Sequence, residues 1–168
     1  YIAVSLDGYI ARSDGDLDWL SEYPITPELD YGYHDFFDSI GSVIMGGKTY
    51  RDILNMDVIY PYKDKISYII THNEINTRKE NIHFISDKII ETIINLKERE
   101  EKDIWLVGGG EIIALLLNHN LIDKMVITYI PKILGNGIPL FPNILTQSLW
   151  ELDKVSSFDN NTFQSVYQ

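Results

Sequence analysis

Apolar and polar positions change period several times along the chain, and each change marks an element. Tyr1–Leu6 is an apolar, strand-like run, Leu6-Asp7-Gly8 reads as its exit turn, and Tyr9–Ala11 continues the strand. Ser13-Asp14-Gly15-Asp16 is loop chemistry. Pro24 and Pro27 flank a further loop, and Thr26 followed by Pro27 predicts a capped helix from about Glu28 to Ser39. Val43–Met45 is a short buried strand, and a helix starts within Thr49–Leu54. Ser67–Thr71 and Ile82–Ile85 are strands. Ser86 then caps a helix on which Ile89, Ile90, Ile93 and Ile94 recur at helical spacing, with a charged, solvated tail, "LKEREEK". Ile104–Val107 predicts a strand that enters Gly108-Gly109-Gly110, and Glu111–Leu117 a second apolar helix. Lys124–Ile130 is a strand, and Leu149–Ser156 with Thr162–Tyr167 predict a closing hairpin around Phe158–Asn161. Strands alternating with helices and ending in a hairpin predict an α/β sheet, mostly parallel, with an antiparallel edge.

Composition narrows the function. At 168 residues the chain suits one domain with a real core. Its net charge of −11, without a basic cluster, argues against nucleic acid and anionic membrane as partners. No apolar run approaches the ~18 residues of a membrane span. With no cysteine there is no disulfide, thiolate nucleophile or Cys-ligated zinc, and a cytoplasmic location is expected. His34, His72, His83 and His119 show no metal-ligand spacing, so no metal is expected.

The candidate chemistry lies in two glycine turns. "GSVIMGGKTY" (41–50) contains Gly-Lys-Thr, but a P-loop would need its first glycine at Ser42, and the apolar run Val43-Ile44-Met45 stands where the phosphate loop should be. A phosphotransferase is therefore disfavoured. "VGGGE" (107–111) is not a dinucleotide fingerprint of the Gly-x-Gly-x-x-Gly kind either: Ile113 replaces the last small residue, and Thr128 and Tyr129 stand where an acidic residue would. Yet each turn follows a buried strand and opens a helix, which offers backbone N–H groups and the positive helix end to an anion. Glycines that merely permit tight turns are the plainer explanation of either one. Two such units together predict an extended, phosphate-bearing ligand across the sheet edge.

The ordered set "YIAVSLDGYIA", "VIMGGKTY", "YIITHN", "IWLVGGGEII", "VITYI", "PLFP" and "LWE" resembles the dihydrofolate reductase superfamily, and within it the reductase domains related to the riboflavin-pathway pyrimidine reductase. The resemblance runs over nearly the whole chain. It implies a dihydrofolate reductase-like three-layer α/β fold, with a mixed, mostly parallel central sheet, helices on both faces and a C-terminal antiparallel hairpin. It also implies NADPH as cofactor and hydride transfer to a pterin- or pyrimidine-like heterocycle. The alternative is a dinucleotide-binding protein of the same fold without catalysis.

Residue by residue, the resemblance puts Ala3 and Ile10 beside the nicotinamide and Thr71 and His72 at the adenosine ribose. Val107, Gly108, Gly109, Gly110, Glu111 and Ile112 fall under the pyrophosphate, with the peptide between the first two glycines usually cis. Gly46 and Gly47 would let backbone approach the pyrophosphate, Thr49 would cap the helix and donate to a phosphate oxygen, and Lys48 would supply charge. The family usually has Arg where this chain has Gly47, which leaves Lys48, Arg51 and His72 as candidate replacements at the 2′-phosphate. Trp19 and Phe36 or Phe37 would wall the substrate pocket, or be ordinary core. The family's catalytic carboxylate aligns with Asp30, with Asp35 as a rival, and its threonine partner with Thr128. Asp7 is a further catalytic candidate, or a turn former.

Two features separate the chain from riboflavin-pathway reductases: Tyr9 follows "LDG" where a basic residue is common, and an Asp-x-Pro-x-Leu-Thr stretch is missing. The zinc deaminase domain that often accompanies them cannot be part of a chain without cysteine. The strand Lys124–Ile130 and "PKILGNGIPLF", with Leu134, Ile138 and Leu140, predict an apolar patch, which together with the resemblance implies a homodimer; the alternative is that these side chains fold back onto the C-terminal hairpin near Trp150 and Phe158.

Overall fold

The structure, a computed structural model, describes residues 1–73 and 80–168. Among these the elements run β1 (Ile2–Ser5), β2 (Tyr9–Ala11), a 3-10 turn (Asp18–Leu20), α1 (Tyr33–Ser39), β3 (Ile40–Gly46), α2 (Gly47–Asn55), β4 (Ile66–Ile70) and β5 (Ile82–Ile85). They continue with α3 (Ile89–Arg99), β6 (Asp103–Gly108), α4 (Gly110–Asn118), β7 (Met125–Ile130), β8 (Ile138–Pro139), β9 (Leu152–Ser157) and β10 (Phe163–Tyr167). The chain forms two compact units: Tyr1–His34 with Ile122–Gln168, and Asp35–Leu121.

The second unit, Asp35–Leu121, is built on a parallel sheet ordered β5-β4-β3-β6. β3 is buried along most of its length, as a parallel strand covered on both faces should be, which explains its unbroken apolar run. Ile40, Val43, Met45, Tyr50, Ile53, Tyr62, Ile69 and Ile82 form the core, and Phe36, Phe37 and Trp105 pack against it. Lys65 closes the end of α1: its ammonium donates to the carbonyls of Phe37 and Ile40 at 2.8 and 2.7 Å and lies 4.7 Å from the centre of the Phe37 ring.

In the first unit β1 pairs parallel with β7, and β7, β10 and β9 follow in antiparallel order. The expected closing hairpin is thus β9–β10. A second, two-stranded sheet joins β2 to β8. The α/β class, with parallel and antiparallel pairing, is as expected. No helix among the described residues is long and apolar enough to cross a membrane.

Three expectations need correction. The helix read from Glu28 begins at Tyr33, because Tyr31 (φ 56°) and Gly32 (φ 76°) are left-handed and a right-handed helix cannot pass through them. Thr26 forms a local turn instead, its hydroxyl accepting from the Leu29 amide at 3.2 Å. Ser86 does not cap α3: the helix follows Lys88, whose φ of 44° ends the preceding turn, and no side chain caps it. Of the patch read at Leu134, Ile138 and Leu140, Leu140 is buried and the other two are half-buried, while Ile133 and Phe141 of the same segment are exposed. The segment folds onto β2, where the Leu140 amide donates to the Gly8 carbonyl at 2.9 Å.

Candidate functional site

Within Asp35–Leu121, β3 and β6 are parallel neighbours, and a register shift after Ile44 sets Met45 opposite Gly108, so the chain leaves both strands at the same edge. β3 turns through Gly46 into α2, and β6 through Gly108 and Gly109 into α4. Gly46 and Gly109 are the N-caps, both extended, and neither helix start has a side-chain cap. The first N–H groups of a helix lack intrahelical acceptors. Two such sets, with the positive ends of two helix dipoles, therefore open at one sheet edge.

The two turns touch. A Cβ on Gly109 would stand 3.4 Å from the Thr49 hydroxyl oxygen, and one on Gly46 would stand 3.2 Å from Cγ1 of Ile112. Gly108 has a φ of 130° and open space where its Cβ would be, so conformation requires glycine there and packing does not. The Gly108–Gly109 peptide is cis. Gly47 is required for the opposite reason: its Cβ would meet Oγ1 and Cβ of Thr71 at 2.6 and 2.7 Å. The end of β4 is thereby held against the first residue of α2. This clustering of amides, a hydroxyl and an open glycine suits an extended anion.

The other expected contacts fall as follows. Thr49 is half-buried at the third position of α2 and is not its cap, which is Gly46. Lys48 is exposed and bonded to Asp52 at 2.8 Å, so its charge is already paired. Thr71 is half-buried and accepts from the Asn73 amide at 3.2 Å, and His72 beside it is exposed. Val107 packs on the core, and Glu111 is exposed in the first turn of α4, where its charge complements the dipole. Phe37 is part of the core margin, beside Tyr62. Arg51, named from sequence only among replacements, brings a guanidinium nitrogen to 3.3 Å from the point where a Gly47 Cβ would stand.

In the first unit, Ala3 on β1 pairs with Thr128 on β7, and Ile10 is half-buried on β2. Trp19 is 2% exposed, a core side chain whose indole N–H has no partner among the described residues. It presents no face to a substrate in this conformation, which corrects its expected place in a pocket wall. Asp7 holds a loop: it accepts from the Ser5 hydroxyl at 2.7 Å and from the Leu134 and Gly135 amides at 3.1 and 2.7 Å. Those bonds, the Ser5 hydroxyl first, lower its pKa, so the turn-forming role is the one its geometry fits.

Asp30 and Thr128 are each engaged by other groups. Asp30 accepts from the amides of Gly32 and His34 at 2.9 and 3.2 Å and contacts the His34 ring at 2.8 Å. The Gly32 amide, then the His34 ring, lower its pKa, which keeps the carboxylate ionised. Its rival Asp35 is exposed in the first turn of α1. The buried Thr128 hydroxyl accepts from the Gln164 amide at 2.9 Å, and Gln164 also donates to the Tyr31 carbonyl at 3.1 Å. The Tyr1 hydroxyl donates to that carbonyl at 3.0 Å, and burial pushes its pKa up to about 12. Sequence reading missed this network, since an isolated Gln164 or Tyr31 carries no pattern. No group of His, Asp and Glu able to hold a metal occurs among the described residues.

The RibD C-terminal domain family matches the chain over residues 1–163. The "Uncharacterized protein YwjB" of Bacillus subtilis (strain 168) is 37% identical over 158 residues, covering 94% of this chain and 90% of that protein. The "Putative riboflavin biosynthesis protein" of Shewanella sp. PV-4 superimposes with a TM-score of 0.86 at 29% identity, over 99% of this chain and 94% of that one. Dihydrofolate reductase from Enterococcus faecalis, complexed with NADP(H) and RAB-propyl, shares the fold at a TM-score of 0.69 and 19% identity, over 99% of this chain and 92% of that one. With its paired glycine turns on adjacent parallel strands and a match that begins at its first residue and reaches β10, the chain belongs to the RibD C-terminal domain family, and its fold is that of dihydrofolate reductase.

Proposed function

We propose that the chain is an NADPH-dependent reductase that delivers hydride to a pterin- or pyrimidine-like heterocycle. One observation carries the reading: two uncapped helix starts open from adjacent parallel strands, with the Thr49 hydroxyl against Gly109. A pyrophosphate needs several N–H donors converging without a side chain in the way, and this edge supplies them. The family and the NADP(H)-bound relative support the same cofactor.

The nicotinamide, when bound, supplies the hydride. The protein's own residues bind and orient. The amides that follow Gly46 and Gly109 would hold the phosphates, with the Thr49 hydroxyl as a further donor, and Thr71 and His72 would border the ribose. The resemblance would put Ala3 and Ile10 beside the nicotinamide. A second copy of the chain is the proposed partner, supported by exposed Leu145, Leu149, Leu152 and Val155 on and before the sheet-edge strand β9. Light scattering at micromolar concentration tests it: twice the chain mass is expected, and the single-chain mass at all concentrations overturns it.

A second reading, dinucleotide binding without reduction, is favoured by one observation: the Asp30 oxygens are taken by Gly32 and His34, and the Thr128 hydroxyl by Gln164. The two readings separate in one experiment. NADPH absorbance is followed with a panel of oxidised pterins and pyrimidines; substrate-dependent loss is expected, and its absence with every compound favours the second.

A further inference from the structure

The resemblance implies an arginine at position 47, and here no side chain fits. A Cβ there would lie 2.6 Å from the Thr71 hydroxyl and 2.7 Å from the Thr71 Cβ, and the β-branched threonine has no flexible end to swing away. The positive charge that reads a 2′-phosphate must come from elsewhere or be missing.

We propose that Arg51 supplies it; the inference rests on the NADPH reading above. Arg51 lies one turn along α2 from Gly47, so the two share a helix face. Its guanidinium reaches back over the glycine, with Nη1 3.3 Å from the missing Cβ. Lys48, the nearer cation in sequence, is bonded to Asp52, whereas among the described residues Arg51 forms no salt bridge. The side chain is exposed, and the Thr71 hydroxyl lies against the same glycine. A planar fork of N–H donors suits the oxygens of a phosphate monoester, and Nη1 beside Gly47 brings that fork to the start of α2. The glycine and the arginine thus form one device: loss of the side chain at 47 makes room for a guanidinium delivered from 51.

The test is calorimetric titration of the intact chain with NADPH and with NADH, for the wild type, Arg51→Gln and Arg51→Lys. The wild type is expected to bind NADPH more tightly. Arg51→Gln should lose about 10- to 100-fold in NADPH affinity, the scale of charge-assisted hydrogen bonds, and little in NADH affinity. Arg51→Lys should fall between. Circular dichroism checks that the variants fold, as an exposed site should allow. A glutamine variant that keeps the full NADPH preference, or a wild type with no preference, overturns the inference and leaves dinucleotide binding standing. A wild type that binds neither cofactor overturns both.

Discussion

The Thr49 hydroxyl oxygen lies 3.4 Å from the point where a Cβ on Gly109 would stand. That contact links the two glycine turns, one after β3 and one after β6, into a single edge. At ordinary van der Waals distance the fold tolerates a methyl group on Gly109, but a ligand approaching the backbone would not. Gly109→Ala is therefore expected to fold with near wild-type stability and to bind NADPH weakly, by fluorescence titration. Gly108→Ala should behave differently: its φ of 130° strains any side chain, at a cost of ~1–3 kcal/mol by urea denaturation. Equal stability for the two variants would contradict the backbone assignment.

Gly47 and Thr71 are coupled by contact. Gly47→Ala should destabilise by about 1–3 kcal/mol, because its methyl group overlaps both Oγ1 and Cβ of Thr71. Since the Cβ itself is in the way, Thr71→Ser should give little relief, whereas Thr71→Gly in the same chain should recover part of the loss. A double-mutant cycle by chemical denaturation measures the coupling, and strict additivity would deny the contact.

The fold was legible where local pattern and tertiary demand agree. β3 reads as an apolar run because a parallel strand covered on both faces is buried, and Ile82–Ile85 matches the edge strand β5 at both ends. The start of α1 was not legible, because Thr26-Pro27 offers the chemistry of a helix cap while the left-handed backbone at Tyr31 and Gly32 decides where the helix begins. The β2–β8 ribbon was missed on the β8 side, since a two-residue strand carries no period. In the site, the glycines were readable because each follows a strand. The engagement of Thr128 by Gln164 was not, because it joins residues far apart in sequence.

Asp7 offers a pH test. Its pKa is lowered in the folded chain by the Ser5 hydroxyl and by the amides of Leu134 and Gly135. A depressed carboxylate adds stability that is present above its unfolded value, roughly 3.9, and is lost as pH falls through the folded value. Denaturation midpoints followed from neutral pH down to acid should drop over that window, and Asp7→Asn should flatten the drop. An unchanged acid profile would remove Asp7 from the loop anchor.

Thr128→Val keeps the side chain's shape and removes the acceptor of the Gln164 amide. One part-buried N–H is left unpaired, and the expected loss is about 1 kcal/mol of stability. Urea denaturation reads it. A neutral substitution would mean that the hydroxyl is not held by Gln164.

The most direct measurement is a fluorescence titration of the wild-type chain with NADPH, run beside Gly109→Val. A saturable, one-to-one signal is expected for the wild type, with binding abolished in a variant that circular dichroism shows to be folded. Wild-type chain that gives no saturable signal, or a folded Gly109→Val that binds as tightly as wild type, would contradict a cofactor held by the two glycine turns.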